Sequence, residues 1–449
     1  MSKQIDGLAQ FVASAAWDDF PAAVQHRAKL VLLDTVGVIL AGSLRPEVIA
    51  LRARLAPTAG TGATLFAPGL APAAPQTAAM LNAIAGRSIE LCEGVRGLQS
   101  AVHILPGILA IGEYRSSTGK ALLEALVLGY EAAGRLGLGY TPRPYSHPNG
   151  QISLLAAAAA GARLNGLDSA GISLAMRIAT TMLMTPSYTN TAAGGTTLNL
   201  PAGMGAYAAV LAPEMAGSGY VAQEDAIEEA LGTMVGAAFD NAALLTGLGS
   251  SWQIAEGYFR FYACCNPIHP ALDSLQDCLV ALDATPTNIE RIDVTTYAFA
   301  SVMCNPQPPN YFASKYSLPH AAATLVVRGG LGFADLDDSS LEDPVIASLR
   351  HRVHITEDPA MTALGPDRKP AHVTVTLADG RTAQAACENS KRDTFHPDPE
   401  PGVRSKFAEL AGTMLTADGI ATVEHAIDHA EDWGSVGDLV ALLHRHAKS

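Results

Sequence analysis

Apolar residues recur at helical spacing along most of the first 260 residues of this 449-residue chain. Residues 22–42, AAVQHRAKLVLLDTVGVILAG, and residues 121–139, ALLEALVLGYEAAGRLGLG, place apolar side chains three and four positions apart, as α-helices do. Both runs stop at glycine, a common helix end. Residues 151–166, QISLLAAAAAGARLNG, follow Pro148 and Asn149 and predict a buried helix whose alanines allow close approach of its neighbours.

The pattern changes after about residue 270. Residues 291–300, RIDVTTYAFA, alternate and are rich in β-branched side chains, which indicates a strand. Residues 372–388, HVTVTLADGRTAQAACE, read as two strands around an Asp-Gly turn. Helical spacing returns in VRSKFAELAGTML and VGDLVALLHRHA, and the last fifty residues fit either a second domain or a return to the first.

Composition and charge narrow the class of partner. Hydrophobic residues make up 49% of the chain and charged residues 16%, as in a globular protein with a large core. The net charge is −14, whereas nucleic acids and anionic membranes bind basic surfaces. No apolar run is long enough to span a bilayer, and the N-terminus lacks a signal-peptide layout. We therefore expect a cytoplasmic protein that binds neither nucleic acid nor membrane.

The cysteines show no metal-site or disulfide spacing. They occupy positions 92, 264, 265, 278, 304 and 387, with no CxxC pair and no histidine at a zinc-site interval. We expect reduced thiols and no bound metal. The glycine-rich residues 191–207 lack the Lys-Ser/Thr of a phosphate loop, and no GxSxG motif is present, so neither nucleotide binding nor acyl transfer is indicated.

Charged residues collect in residues 89–106, IELCEGVRGLQSAVHILP. A helix that ended near Glu93 would place Glu90 one turn away, with Arg96 beyond them and His103 before a turn ended by proline. This arrangement fits a reactive site. It fits equally a solvated helix end with a surface salt bridge, and the pattern leaves both open.

Residues 143–150, RPYSHPNG, place His147 beside Tyr145 and just before the predicted alanine-rich helix. The N-terminus of a helix attracts anions, and imidazole exchanges protons near neutral pH. His147 is therefore a candidate acid–base residue, with a plain His-Pro-Asn-Gly turn as the alternative.

Residues 259–273, FRFYACCNPIHPALD, lie where the pattern changes, and junctions between domains are preferred ligand sites. Arg260 there could hold a carboxylate through a bidentate contact. His269 follows nine residues later, either in the site or as a helix-start residue bonded within its own turn.

Residues 314–327, SKYSLPHAAATLVV, supply a further group of polar side chains before an apolar run. Lys315, Tyr316 and His320 could face the same junction. The segments share groups suited to proton transfer and anion binding.

Taken in order, these segments resemble the MmgE/PrpD family, which includes 2-methylcitrate dehydratase, cis-aconitate decarboxylase and iminodisuccinate epimerase. The similarity runs almost end to end, through LLDTVGVILAG, ELCEGVR followed by HILPGILAIGE, SHPNG before AAAAAGARLNGLD, NLPAGMGAYAAVLA, FYACCNPIHPALD, KYSLPHAAA and VRSKFAEL. Each motif is weak alone, and their order identifies the family.

The resemblance implies a mostly α fold with a smaller α+β domain. A large all-helical domain would comprise residues 1–268, with residues 396–449 packed back on it, and residues 269–395 would form an α/β lid. It further implies an active site in the cleft between them, a homodimer, a small polycarboxylate substrate and no cofactor or iron–sulfur cluster.

The resemblance also assigns site positions. The family's acidic, histidine and basic positions and their neighbours fall on Glu90, His147, Arg260, Cys265 and His269, and the tyrosine often found after Ser-Leu-Pro falls on His320. The chain departs from the family at three places: Gln99 and Ser100 replace a common His-Pro pair, Leu198 stands at a basic position, and Cys92 stands at an acidic one. His103 matches a second histidine that some members carry.

The chemistry implied is removal of a proton, or of carbon dioxide, next to a carboxylate in a small di- or tricarboxylic acid. We expect His147 and His103 to transfer protons, Glu90 to orient one of them and His269 to assist. The expected substrate-binding residues are Arg96, Gln99, Tyr145, Arg260, Cys265, Lys315 and His320. We place a 2-methylcitrate-dehydratase-like hydro-lyase first, with a dicarboxylate epimerase, a cis-aconitate-type decarboxylase and a non-catalytic carboxylate-binding protein as alternatives.

Overall fold

A computed structural model describes residues 3–56, 62–365, 368–391 and 398–448. The chain up to residue 244 is mainly helical. The boundary that we predicted between residues 395 and 396 lies outside the described residues. The helices are α1 Lys3–Ser14, α2 Ala22–Gly42, α3 Pro46–Leu55, α4 Pro75–Ser88, α5 Ser100–Arg115, α6 Gly119–Gly139, α7 Ile152–Leu164, α8 Ser169–Ala179, α9 Tyr188–Ala192, α10 Asn199–Gly217 and α11 Ala226–Glu229.

The predicted alanine-rich helix is confirmed as α7, which lies at the centre of the helical part. Its residues 152–162 are all buried, as expected for a helix that is apolar on every side. It packs against α5, α6, α8 and α10. The approach of α10 is so close that a Cβ atom at Gly161 would collide with the carbonyl group of Ala209, so the small residues fix the spacing of these helices.

Two details of this mainly helical region differ from the expectation. The all-helical part contains short antiparallel ribbons, β1 Ala63–Thr64 with β2 Pro72–Ala73 and β3 Tyr140–Pro142 with β4 Gly236–Phe239. The spacing of apolar residues also predicted helices to about residue 260, whereas residues 240–265 form turns and irregular chain. Gly247 and Gly249 have φ angles of 69° and 80°, which an α-helix does not accommodate.

The predicted change to mixed α and β structure is confirmed. The elements are α12 His269–Leu282, β5 Ile289–Thr296, α13 Ala298–Ser301, α14 Tyr311–Ser314, α15 Leu318–Arg328, α16 Asp338–Glu342, α17 Pro344–Arg350, β6 Val353–Glu357, α18 Pro359–Thr362, β7 Ala371–Leu377 and β8 Thr382–Cys387. The strands form one sheet in the order β6-β5-β7-β8, in which only the β5–β6 pair is parallel. Helix α12 packs against β7 and β8.

The Asp-Gly hairpin is also confirmed, between β7 and β8. Gly380 has a φ of 86°, a conformation that glycine adopts without the strain imposed by a Cβ atom. Along β7 buried and half-buried residues alternate, so one face of this strand packs in the core.

The last helices, α19 Glu400–Ala411, α20 Ala417–Asp428 and α21 Gly437–His446, contact the N-terminal helices. Helix α19 packs on α2, and α21 contacts α5. Lys406 of α19 pairs with the buried Asp34 of α2 at 2.6 Å and donates to the carbonyl oxygen of Leu91 at 2.6 Å. A helix near the C-terminus therefore contacts the residue that follows Glu90. No helix in the described ranges has both the length and the apolar surface needed to cross a bilayer.

Candidate active site

A cavity of about 520 Å³ lies where the N-terminal helices meet the chain that follows residue 257. Its wall comes from the loop between α4 and α5, the turn before α7, α9, the irregular chain before α12, the start of α13, the end of α18 and the chain just before β7. The lining residues are Glu90, Gly97, Gln99, His147, Pro148, Tyr188, Tyr258, Arg260, Cys265, Asn266, Pro267, Tyr297, Ala298, Phe299, Thr362, Gly365 and Lys369.

At one side of the cavity Glu90 is held between two buried arginines. Arg87, in the last turn of α4, donates to one carboxylate oxygen, and Arg260 donates to the other at 2.5 Å. The hydroxyl group of Tyr316 donates to Glu90 Oε2 at 3.0 Å. All three charged side chains are at most 2% exposed. We call Arg87, Glu90 and Arg260 the buried triad.

The buried triad carries one net positive charge. Burial by itself would raise the pKa of Glu90, but the charges of Arg87 and Arg260 and their hydrogen bonds outweigh it and lower that pKa to about 2. The carboxylate is therefore ionised at neutral pH and is a poor proton acceptor. Two guanidinium groups against one carboxylate attract an anion to this side of the cavity.

The imidazole of His147 lines the same cavity and is held from two sides. Its Nδ1 accepts the backbone N–H of Asn149 at 3.2 Å, and its ring stacks on Tyr188 with 5.0 Å between centroids. Burial, reinforced by the charge of Arg87, lowers the pKa of His147 to about 3. The ring is therefore neutral, and because Nδ1 is an acceptor, the proton resides on Nε2, the nitrogen left for a ligand.

The thiol of Cys265 lines the cavity beside Tyr188, whose hydroxyl oxygen lies 3.5 Å from Sγ. Burial raises the pKa of Cys265 to about 12, so the thiol stays protonated. In the described part of the chain, no group of three His, Cys, Asp or Glu side chains is placed to hold a metal ion.

Behind the cavity, Glu93 forms a second buried acidic site. Its carboxylate accepts the N–H of Ala101 at 2.8 Å and the hydroxyl proton of Tyr130. Burial raises the pKa of Glu93 to about 7, and the hydrogen bonds from Tyr130 and Ala101 and the charge of Arg27 do not offset it. Glu90 and Glu93 are three positions apart, and their pKa values are shifted in opposite directions.

This contrast gives a prediction for Glu93→Gln. The folded protein holds the Glu93 proton up to about pH 7, whereas the unfolded chain releases it near pH 4.5, so wild-type stability from this group falls as pH rises through that window. His103, His147 and His320 have lowered pKa values, so their contributions to stability rise with pH instead. These contributions are the same in the wild type and in Glu93→Gln and cancel in the comparison. Between pH 5 and pH 8 we expect the stability of Glu93→Gln relative to wild type to rise by on the order of 3 kcal/mol.

Urea denaturation at several pH values measures this difference, with the exposed Glu342→Gln as the matched control. A wild-type-to-variant difference that is the same at pH 5 and pH 8 would show that Glu93 titrates normally.

The structure brings several sequence-predicted site residues together, but it does not place Glu90 as expected. Glu90, Gln99, His147, Arg260 and Cys265 all line the cavity. However, α4 ends at Ser88 rather than near Glu93, and Glu90 follows with a φ of 54°. Its carboxylate binds two arginines and a tyrosine, and no hydrogen bond joins it to a histidine among the described contacts.

His103 and His269, predicted to act on protons, do not line the cavity. His103 is fully buried against α10, where a Cβ at Gly205 would lie 2.9 Å from its ring. Its Nδ1 bonds the carbonyl oxygen of Gln99 at 2.6 Å. The expected proline-terminated turn is wrong, because Pro106 lies inside α5. His269 starts α12 and donates to the carbonyl oxygen of Cys264 at 3.0 Å, which is the local bonding that the sequence left open.

Lys315 and His320 are buried within the C-terminal part of the chain and do not line the cavity. The ammonium group of Lys315 donates to the carbonyl oxygen of Leu336 at 2.5 Å and lies 4.0 Å from the ring centroid of Tyr311. Burial lowers its pKa to about 7. His320 Nε2 bonds Ser340 Oγ at 3.0 Å.

Arg96 and Tyr145 also lie away from the cavity wall. Both have left-handed backbone conformations, with φ of 50° and 65°. Arg96 donates to Gln253 Oε1 at 3.1 Å, and the side chain of Tyr145 is 81% exposed. The carbonyl group of Tyr145 still contributes, because it accepts the N–H of Tyr188 at 2.8 Å and so helps to place the ring that stacks on His147.

Sequence reasoning missed Arg87, Lys369 and the aromatic wall. Arg87 precedes Glu90 by three residues, so an i,i+3 charge pair could have signalled it. Lys369, just before β7, reaches the cavity wall, donates to Asn266 Oδ1 and lies 5.5 Å from the ring centroid of Tyr258. Tyr188, Tyr297 and Phe299 sit in segments without any motif, and only the fold brings them to one wall.

Comparison with known proteins accounts for most of the chain. Residues 6–244 match the MmgE/PrpD N-terminal domain, and residues 262–429 match the MmgE/PrpD C-terminal domain. The chain is 23% identical over 480 aligned residues to cis-aconitate decarboxylase of Aspergillus terreus, with 98% of this chain and 96% of that protein covered. It is 24% identical to the cis-aconitate decarboxylase-like protein oryM of Aspergillus oryzae, with 97% and 96% covered.

Proposed function

This chain belongs to the MmgE/PrpD family, and from that premise we propose that it is a lyase that acts on a small carboxylic acid and develops carbanionic charge at a carbon next to a carboxylate. The observation that carries the proposal is the presence of His147 and the buried triad at one cavity. A carbanion next to a carboxylate spreads its charge onto the carboxylate oxygens. Catalysis therefore requires positive charge and hydrogen-bond donors that are in place before the charge develops.

The buried triad supplies the positive charge. Arg260 is held by Glu90 and cannot reorganise freely, so it presents a fixed charge to a bound carboxylate. Because the site is buried, its attraction for developing negative charge is stronger than it would be in water. The triad thus serves both to bind the acid and to stabilise the enediolate-like state.

His147 supplies the donor. With Nδ1 bonded to the N–H of Asn149, the neutral ring offers Nε2–H to the substrate. A neutral imidazole stabilises an enediolate by donating a hydrogen bond to it. Because the ring carries no charge, its burial does not incur the cost of burying a charged group. We assign His147 as the proton-transfer and donor residue of the site.

Among the alternatives that the sequence left open, this geometry favours decarboxylation over dehydration. A dehydratase begins by removing a proton from carbon, yet Glu90 is a weak base, Cys265 stays protonated, and Nε2 of the neutral His147 already carries a proton. In decarboxylation the bond electrons stay on carbon when carbon dioxide leaves, so the first step needs a stabilising donor and no base. The similar proteins with the name cis-aconitate decarboxylase support the same order.

Epimerisation has less support. It requires two proton carriers on opposite faces of one carbon, and among the described lining residues His147 is the imidazole present. The homodimer implied by the family resemblance remains a proposal, as do the cytoplasmic location expected from the N-terminus and the division into a helical domain and an α/β lid.

Proton NMR in deuterated water tests the proposal. The protein is incubated with cis-aconitate, 2-methylcitrate, and aspartate- and succinate-derived acids. Loss of a carboxylate as carbon dioxide, with uptake of deuterium at carbon in the product, supports decarboxylation. An unsaturated product formed by loss of water supports the hydro-lyase instead, and exchange without net reaction supports the epimerase. If no acid in the panel loses a group or exchanges hydrogen, the proposed lyase function is wrong.

A further inference from the structure

The backbone of Glu90 has a conformation that a residue with a side chain adopts only when its surroundings enforce it. Its φ angle is 54°, in the left-handed region, where the Cβ atom comes close to the following carbonyl oxygen. Such strain collects at functional sites and persists where the neighbouring structure over-determines it. The position of the Glu90 carboxylate, and of the arginines bound to it, therefore depends on what holds residues 90–94.

Two buried charged residues on other helices hold this segment one and three positions after Glu90. Lys406 of α19 donates to the carbonyl oxygen of Leu91 at 2.6 Å and pairs with Asp34 of α2 at 2.6 Å. Burial raises the pKa of Asp34, and Lys406 and the backbone N–H of Glu93 act against that rise, which places this N–H beside the Asp34 carboxylate. We call Asp34 and Lys406 the buried clamp.

The buried clamp lies outside the candidate active site. Neither of its residues lines the cavity there. Lys406 instead lines a second cavity, of about 510 Å³, together with Leu91 and Phe261. Glu90 and Arg260 line the first cavity and the residues that follow them line the second, so these two chain segments separate the cavities. The clamp therefore acts on a bound acid through the segment that carries Glu90.

We propose that Asp34 and Lys406 are positioning residues for the reaction: they fix the backbone after Glu90, so that the buried triad keeps the orientation in which it binds an acid. This inference rests on the proposed function, because it takes the triad as the group that binds and polarises the acid. A displacement of about 1 Å at a positioning group can lower a rate about a hundredfold. Loss of the clamp should therefore weaken binding and catalysis, although neither residue touches the acid.

Two variants separate positioning from stability. Lys406→Met removes the donor to Leu91 and leaves Asp34 buried without its partner, so we expect a marked loss of stability. The double variant Asp34→Asn/Lys406→Met has no unpaired charge at the clamp and should recover most of that stability, but it still lacks the donor to Leu91.

Isothermal titration calorimetry with succinate measures the effect on the site. We expect the double variant to bind succinate about tenfold or more weakly than wild type, with the same number of sites per chain, and to lower kcat/KM about a hundredfold with the acid that the wild-type protein turns over. A purely structural role would lower the number of sites and leave the dissociation constant of the folded molecules unchanged.

Lys29→Met is the matched control. Lys29 of α2 also donates to a carbonyl oxygen near the C-terminus, that of Asp428 at 2.8 Å, and pairs with Glu431 at 2.6 Å, yet none of these residues lines the cavity. This variant should bind succinate as the wild-type protein does. Wild-type affinity in the double variant, or an equal loss of affinity in Lys29→Met, would overturn the positioning role.

Hydrogen exchange followed by mass spectrometry tests the clamp without a ligand. The backbone amides of residues 90–94 should exchange about tenfold or more faster in the double variant than in wild type, and those of α7 should not change. Unchanged exchange at residues 90–94 would overturn the clamp itself. Faster exchange and weaker succinate binding without reaction of any acid in the NMR experiment would support the clamp and contradict the lyase function. Turnover of an acid at the wild-type rate by the double variant would support the lyase function and contradict the positioning role.

Discussion

Replacement of His147 by asparagine should lower kcat/KM by about 10² to 10⁴-fold, the usual contribution of a positioned proton-transfer group. Asparagine can still accept the N–H of Asn149 near the position of Nδ1, but it has no atom at the position of Nε2. The variant therefore removes the donor that faces the cavity and keeps the local turn. The measurement is the rate of product formation by NMR with the acid that the wild-type protein turns over.

The exposed His26 offers a matched control, because His26→Asn makes the same chemical change at the surface. The pH profile supplies a second readout. Since the pKa of His147 is lowered to about 3, wild-type activity should not fall through protonation of this residue between pH 7 and pH 5. Full activity in both His147→Asn and His103→Asn would show that neither histidine is the proton-transfer residue that we expected.

The elements that sequence reasoning predicted well are those whose pattern is local. The β7–β8 hairpin follows from alternation around Asp379 and Gly380, and α7 follows from an uninterrupted apolar run. Glu90, His147 and Arg260 were assigned because they lie in ordered motifs, and all three reach the cavity.

The misses depend on information that is not local. Arg96 and Tyr145 lie close in the sequence to residues that line the cavity, but their left-handed backbone turns the side chains elsewhere. Lys315 lies in a recognised motif, yet its ammonium group points to the carbonyl group of Leu336 within its own part of the chain. Lys369 lies in no motif and reaches the site only because β7 pairs with β5 in the sheet. Spacing along the chain cannot distinguish the two sides of a packed segment.

Substitution of Glu90 by glutamine should cost about 3 to 5 kcal/mol of stability, because it leaves Arg87 and Arg260 buried without a negative partner. Urea denaturation at pH 7, followed by circular dichroism, measures the loss. The pKa of Glu90 is lowered from 4.5 to about 2, so its contribution is fully present above pH 4.5 and is lost as pH falls toward 2. The gap between wild type and variant should therefore narrow below about pH 4.5.

Glu214→Gln removes the partner of Arg115 in an exposed pair, and we expect no measurable change in stability from this control. A loss below about 1 kcal/mol in Glu90→Gln would mean that the arginines find other partners and that the triad is not a closed unit. Activity per folded molecule then separates two roles. If Glu90 only holds the guanidinium groups in place, the folded variant should bind succinate with altered affinity. His147→Asn should then lower kcat by the same factor in Glu90→Gln as in the wild-type protein. If Glu90 takes part in proton transfer, the two substitutions should not be additive in kcat.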